Sequence, residues 1–378
     1  MTSAQALEQT EPVAVGEGKI QDGELHPKGY QLTVTQPIFR GFRVYNTVNV
    51  AEATVRSARQ QLRIVEQQTL QDAVTAYMDV VRDLAIVRVR ENNVRVLNEQ
   101  VRATQAQFAV GEVTRTDVAQ AEPRRAAAVS ALDLARSNLQ TSRATFERVV
   151  GHPPGSLVSP QPTRLVPKSL GEASEIAMRE SPTVVSALYR EQAARFAIET
   201  IRGELLPTVQ LEANYGKQFE TSIVTQEVEQ TTVTGRLTVP FYTGGEVQAR
   251  VRQAKHTHVA RQQEIEQARA ETQALTQQAW ARYQAARAQL KANQVQVEAA
   301  RTALEGVREE EKAGQRTLLD VLNAEQELLD AQVQLVVTQR DLVVACFGVL
   351  AAIGRLTAEQ LEITTHVYDP EANTANVR

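Results

Sequence analysis

Apolar residues recur at sevens through two long stretches of this chain, and in shorter stretches they alternate with polar ones. From Arg43 to Val110 Val44, Val48, Ala51, Val55, Ala58, Leu62 and Val65 step by fours and threes, and Val87, Val94, Val101 and Phe108 resume at sevens. Glu246 to Ala313 repeats the arrangement with more alanine at its seams. Further on, Leu322, Leu329, Val336, Val343 and Leu350 run beside Leu328, Leu335, Leu342 and Val349. A heptad repeat sustained this far predicts coiled-coil seams. A helix from Arg43 to Val110, rising about 1.5 Å per residue, would reach roughly 100 Å.

Period two appears elsewhere. Leu32, Val34, Gln36 and Ile38 alternate with Thr33 and Thr35, which predicts a short strand from Gln31 to Phe39, ended by Pro37. Val209, Leu211, Ala213 and Tyr215 alternate with Gln210, Glu212 and Asn214, and Thr231 to Tyr242 is the expected partner. One apolar and one polar face suit a half-buried sheet or a membrane barrel with a wet lumen. The polar segment between the two strands lacks tight-turn residues, so a long loop is expected. Residues 1–29 read as loop, and Gly151 to Lys168, with its five prolines, as a linker. Gly171 to Glu204 reads as a third helix closed by Pro207. In the tail only Leu361, Ile363 and Val367 hint at packing.

The helices are punctuated identically in two places. Gly111 and Gly314 end helical runs as natural left-handed stops. Three residues on, Thr114 to Asp117 and Thr317 to Asp320 fit a capping box with Asp in the acidic place. Helix, glycine, short turn and capped helix make a helical hairpin. The two hairpins align without a gap: Gly111, Thr114, Asp117, Val118, Ala121, Glu122, Leu132 and Gly151 fall on Gly314, Thr317, Asp320, Val321, Ala324, Glu325, Leu335 and Gly354. The same offset, 314 less 111, carries Thr35, Pro37 and Gly41 onto Thr238, Pro240 and Gly244. A constant offset over about 120 residues marks a duplicated unit. Pro123, inside the first return helix, removes a backbone bond and predicts a kink that Gln326 does not impose on the second.

Composition narrows the class. Aromatic residues make up only 4% of a chain that is 42% hydrophobic, which suits long helices with small-residue seams. A net charge of −4 gives no electrostatic case for nucleic acid. The single cysteine, Cys346, excludes a disulfide framework and a cysteine metal site. The longest unbroken apolar run, Leu342 to Ile353, is too short to span a bilayer. His256 and His258 are spaced i, i+2 and share no helix face, so they cannot chelate together. No nucleophile elbow, phosphate loop or dinucleotide fingerprint is present, and the expectation is a protein that is not an enzyme and uses no cofactor or metal. Trp280 and Tyr283 read as seam or surface anchors.

This combination resembles the TolC family of outer-membrane efflux and secretion ducts. The likeness rests on PIFRG at Pro37 to Gly41, PFYTGG at Pro240 to Gly245, VGEVTRTDV at Val110 to Val118 and AGQRTLLDVLNAE at Ala313 to Glu325, and covers about residues 30–355. The resemblance implies a mainly α fold with a small β part: two tandem repeats of long coiled-coil hairpins forming an α-barrel, and β-hairpin strands contributing to a trimeric outer-membrane barrel. It implies a homotrimer extending into the periplasm, with a periplasmic adaptor (membrane fusion) protein, an inner-membrane pump and outer-membrane lipid as partners. Repeat 1 is expected at 30–151, a linker at 152–170, repeat 2 at 171–354 and a tail at 355–378. By the offset, the counterpart of Gly171 to Glu204 falls before Met1. The family's signal peptide, first helix and first strand are therefore expected to be missing, with at most a strand remnant over residues 4–14.

The resemblance also assigns the tips. Asp320 is expected to contribute to an acidic ring at the periplasmic constriction, Arg316 to hold the closed tip, and Asp117 to occupy the matching place in the first hairpin. Asn323 stands where the family often has a second aspartate, which lowers the expected ring charge. The turns, with Gly111, Val113, Thr114, Arg115, Gly314, Gln315 and Thr317, are where the resemblance places adaptor docking. Simple helix capping is the competing role for both aspartates. The function expected is a passive exit duct, gated at its tip, of a tripartite efflux pump or a type I secretion system. The alternative is a non-pore periplasmic coiled-coil adaptor or scaffold, which would be soluble without detergent.

Overall fold

The computed structural model describes residues 2–6, 26–158, 160, 165–220 and 227–361. The chain divides into two units: Met1–Ser57 with Leu188–Glu264, and Ala58–Ala187 with Ile265–Arg378.

The first unit holds a four-stranded antiparallel sheet in the order β1 (Thr2–Ala6), β2 (Lys28–Arg40), β3 (Thr208–Phe219), β4 (Glu227–Thr238). Register follows the alternation. Val34 sits opposite Ala213, and Ala213 opposite Val233; on the other parity Thr33 meets Asn214 and Asn214 meets Thr232. A one-residue slip would exchange the two faces, so the pattern fixes the pairing. Pro37 does not end β2. The strand continues to Arg40 past an irregularity between Pro37 and Phe39, the kind of place where a strand tolerates a residue without an N–H. β4 starts and ends earlier than the alternation suggests, and Phe241 and Tyr242 lie beyond it, almost fully exposed. The expected strand remnant over residues 4–14 begins sooner: Thr2–Ala6 pairs with Tyr30 to Val34, and residues 7–14 lie outside the described part.

β2 passes into helix α1 (Arg43–Ala109) through a tight corner. Gly41 has φ +59° and Phe42 φ +58°, and the Phe42 ring packs edge-on against Phe39 at 5.2 Å. A Cβ on Gly41 would lie 2.2 Å from the Gly203 carbonyl oxygen, and one on Gly203 would lie 2.3 Å from that of Gly41. Two glycines therefore let two backbones touch. β4 passes into α5 (Glu246–Lys312) through Gly244 and Gly245, both left-handed. In this unit His258 pairs with Glu191 at 2.5 Å.

The second unit is built on α2 (Arg115–Val150), α3 (Leu170–Glu180) and α6 (Leu318–Ala352), with the adjoining lengths of α1 and α5. The helix expected over Gly171 to Glu204 is two: α3 stops at Ser181 and α4 (Pro182–Arg202) starts afresh. Proline pushes the preceding residue out of helical geometry, and Ser181 is extended at ψ 123°. α2 runs through Pro123 as one element. Among the described residues α6 alone is long and apolar enough to cross a membrane. Several of its buried residues lie inside protein clusters: Val349 and Leu350, with Ile353 just past its end, pack with Ala173, Ile176 and Ala177, and Leu342 and Cys346 with Ala286. Trp280 and Tyr283, 5.7 Å apart, cover the first of these, as do Val166 of the linker and Leu361 of the tail. Ile363 and Val367 lie outside the described residues.

Polar ties cross these seams. Buried Asp83 accepts from Arg82 at 2.8 and 3.0 Å and from Ser142 of α2, and Asp79 accepts from Arg82 and from Arg340 of α6, both at 2.9 Å. The Asp83 carboxylate holds the Arg82 guanidinium further into its charged form. At the end of α6, Arg355 grips Glu180 at 2.8 and 3.0 Å, and the Glu180 carboxyl is pulled from 4.5 to about 2, chiefly by that bond. A folded-state pKa below the unfolded one gives stability present above pH ~4.5 and lost as pH falls towards ~2. Allowing for solvent screening, thermal unfolding of the native protein should lose about 1–2 kcal/mol across that window, and Glu180→Gln with Arg355→Met should remove this component.

Candidate functional site: the amphipathic sheet and the two tip turns

The sheet has one face of each character. Leu32, Val34, Leu211, Val233 and Leu237 project from one side and are all exposed, Val233 at 67% and Leu237 at 65%. Thr33, Thr35, Glu212, Asn214, Thr232 and Thr234 share the other parity. Apolar side chains left in the open on one side, with a polar opposite face, are what a transmembrane barrel strand needs. Aromatic residues flank the apolar band. Tyr30 and Tyr215 meet at 6.2 Å towards one end; Phe39, Phe42, Phe241 and Tyr242 stand at the other. Aromatic girdles of this kind sit at the lipid–water boundary.

The tip turns are near duplicates in atomic detail. In the first, Gly111 (φ +84°) donates to Phe108 and Glu112 donates to Gln107, and in the second Gly314 (φ +75°) donates to Glu311 and Gln315 to Glu310. Each pair is a Schellman closure, which satisfies the last helical carbonyls. Thr114 N and Oγ1 both donate to Asp117 Oδ2 at 2.8 Å, and Thr317 N and Oγ1 donate to Asp320 Oδ2 at 3.0 and 2.8 Å. The return amide bonds, Asp117 N to Thr114 Oγ1 and Asp320 N to Thr317 Oγ1, close both capping boxes. Both aspartates are therefore caps. Asp320 is held below the usual carboxylate range first by the Thr317 backbone, then by its hydroxyl, with Arg316 a lesser contributor.

Arg316 reaches Glu310 at 2.9 Å, so it braces its own turn, and that carboxylate holds its guanidinium charged. Near the tips one polar tie between the two hairpins comes from Asn323, whose Oδ1 accepts from Arg124 of α2 at 3.0 Å. The sequence singled out Asn323 but not Arg124. Nor did it single out Arg308 and Glu325, a pair at 2.6 Å whose carboxylate is only 6% exposed. The first repeat has Gln105 and Glu122 in those places, 3.4 Å apart and exposed. The identity of Glu122 and Glu325 in the internal alignment was the available signal. Beside them Leu97, Ala128, Leu318 and Leu322 pack α1, α2 and α6 together.

A sheet with a lipid-facing side, joined in sequence to duplicated coiled-coil hairpins, defines an outer-membrane channel subunit rather than a soluble scaffold. The chain belongs to the outer membrane efflux protein family, whose model matches residues 2–152 and 173–355. It is similar to the outer membrane efflux protein BepC of Brucella suis biovar 1, 38% identical over 375 residues, covering 97% of this chain and 82% of that protein. It is also similar to the alkaline protease secretion protein AprF of Pseudomonas aeruginosa, 27% identical over 340 residues, 88% of this chain and 70% of the relative. The solved structure of CusC matches with a TM-score of 0.80 at 16% identity, covering 93% of this chain and 82% of that one. The CmeC outer membrane channel of Campylobacter jejuni matches with a TM-score of 0.78 at 16% identity, covering 100% and 80%. The protein is an outer-membrane efflux or secretion channel, mainly helical with a small antiparallel sheet.

Proposed function

We propose that three copies of this chain close into one conduit, their sheets forming a barrel in the outer membrane and their hairpins a helical tunnel in the periplasm. The observation that carries this is the sheet: four strands with an exposed apolar face have unpaired edges, and closure with further copies removes both the edges and the water contact. Repeat 1 then spans 30–151 and repeat 2 171–354, joined by a linker at 152–170 that Tyr77 pins to α1 by accepting from Val158 N and donating to Val158 O. The relatives named for efflux and for protease secretion support a passive exit duct served by an inner-membrane pump through a periplasmic adaptor.

The tip turns are the gate and the docking surface in this reading. Asp320, repeated around a threefold axis, supplies fixed negative charge at the narrowest point and favours cations, as carboxylate rings do. Asp117 occupies the matching place in the first hairpin, and Arg316 stiffens the turn. Val113, Arg115 and Gln315, with Gly111, Thr114, Gly314 and Thr317 shaping the loops, form the face offered to the adaptor. Opening requires a partner that binds the splayed state better than the closed one. In planar bilayers Asp320→Asn is expected to weaken cation preference, and Arg316→Ser to raise open-channel time. Pores whose conductance and selectivity ignore both substitutions would remove these residues from the gate.

A further inference from the structure

The polar face of the sheet is uncharged except at one end. Pairing sets Gln31 beside Gly216 and Gln230, and Thr33 beside Asn214 and Thr232, all neutral. Among the described residues the ionisable side chains on this face are Glu212, Arg236 and Arg40 alone. They gather towards the end where β2 turns into α1. Arg40 is the last residue of β2, Arg236 lies just short of the end of β4 at Thr238, and Glu212 pairs with Thr35 and Thr234.

Arg40 owes its side of the sheet to the irregularity at Pro37. Strict alternation from Thr33 and Thr35 would put position 39 on the polar face and position 40 on the apolar one. Ile38 is the extra residue that resets the count. Phe39 therefore falls opposite Val209 on the apolar face, and Arg40 opposite Thr208 on the polar face. Re-aiming a side chain is a recognised use of a bulge. Without it a guanidinium would face lipid and a phenyl ring would face water.

The charges at this end do not cancel. Glu212 accepts from Asn214 at 2.9 Å and stands 3.9 Å from the Arg236 guanidinium, so those two groups offset each other. Arg40 is exposed and has no carboxylate partner among the described residues. Arg43 donates through Nε to the Arg40 carbonyl oxygen at 3.2 Å, which brings a second cation close by. Glu204 and Arg250, at the same end, are spent on each other.

We propose that the base of the barrel is an anion-attracting ring, formed by Arg40 with Arg236 in each copy around the lumen, that favours small anions and the carboxylate or phosphate groups of cargo. This rests on the reading of the sheet as part of a closed channel, and gives that channel a second charge filter opposite in sign to Asp320. Rings of arginine or lysine serve anion pores, and lumen-facing positions of a barrel tune its selectivity. Arginine suits the task because it stays charged and takes carboxylate or phosphate through two parallel bonds. A unit charge felt across about 10 Å of water, repeated threefold and screened at about 0.1 M salt, changes local ion concentration about twofold.

The test is the chloride-to-potassium permeability ratio of the full chain in planar bilayers, taken from reversal potentials in potassium chloride near ~0.1 M. Arg40→Gln should lower the ratio about twofold and Glu212→Gln should raise it by a similar factor. Arg40→Lys keeps the charge and should leave the ratio unchanged. All the shifts should fade near ~1 M salt, where the screening length is only about 3 Å. They should recur in an Asp320→Asn background, which excludes the tip as their source. Recovery of detergent-stable oligomer shows that each variant assembles, and should Arg40→Gln fail there, Glu212→Gln carries the same test with opposite sign. An unchanged ratio in assembled pores, or a fall that Arg40→Lys reproduces, would overturn the ring. An unsubstituted chain that forms no pores at all would instead overturn the channel reading.

Discussion

Val233→Arg should keep the protein out of the outer membrane. Val233 is 67% exposed in the middle of the apolar face, opposite Ala213, which in turn faces Val34. A charged side chain on the lipid face of a barrel costs about 2–4 kcal/mol near the bilayer midplane. Threefold repetition would multiply that to roughly 6–12 kcal/mol per assembly, comparable with the whole stability of a typical domain. Membrane fractionation and the recovery of detergent-stable oligomer are the measurements. Thr232→Lys provides the control: it lies one residue away on the polar parity, opposite Asn214, and should insert normally. If both variants insert equally, the assignment of faces is wrong.

Among the described glycines, Gly41→Ala should be the most damaging added methyl. At φ +59° an alanine pays about 1–2 kcal/mol for left-handed backbone alone. The added Cβ would also lie 2.2 Å from the Gly203 oxygen and 2.9 Å from the Leu206 Cβ, so two backbone segments must separate. Overpacking of this kind typically adds about 1–3 kcal/mol. Gly111→Ala separates the two contributions. That glycine has φ +84° but nothing within 4 Å of its Cβ position, so only the backbone part, about 1 kcal/mol, is expected. Denaturant unfolding of the purified variants should rank Gly41→Ala well below Gly111→Ala; equal losses would mean the close approach to Gly203 carries no weight.

Much of this was legible along the chain because its signals are local. Heptads set α1, α5 and α6 to within a residue or two, and the glycine and capping residues of the tips lie within eight positions of the atoms they bond. Pro182 was visible too, yet the apolar periodicity carried the helix reading across it; the backbone constraint on Ser181 won. The C-terminal end of β4 slipped because Val239 and Phe241 continue the alternation after pairing to β3 has stopped at Thr208. What stayed hidden is tertiary. Arg124 and Asn323 are separated by 199 residues, and no spacing rule brings them together. Glu325 stands in the sequence only as the repeat of Glu122, and its burial comes from Arg308 of α5 and the packing beside it.

Each tip turn closes itself with bonds drawn from its own short segment, so the side chains of Val113, Arg115 and Gln315 carry none of the hydrogen bonding that shapes it. In the proposed docking role, substitution at those three places would change which adaptor is recognised while the loop geometry is inherited intact. Partner choice and folding can therefore drift independently, and a tip exchanged between relatives should arrive already shaped.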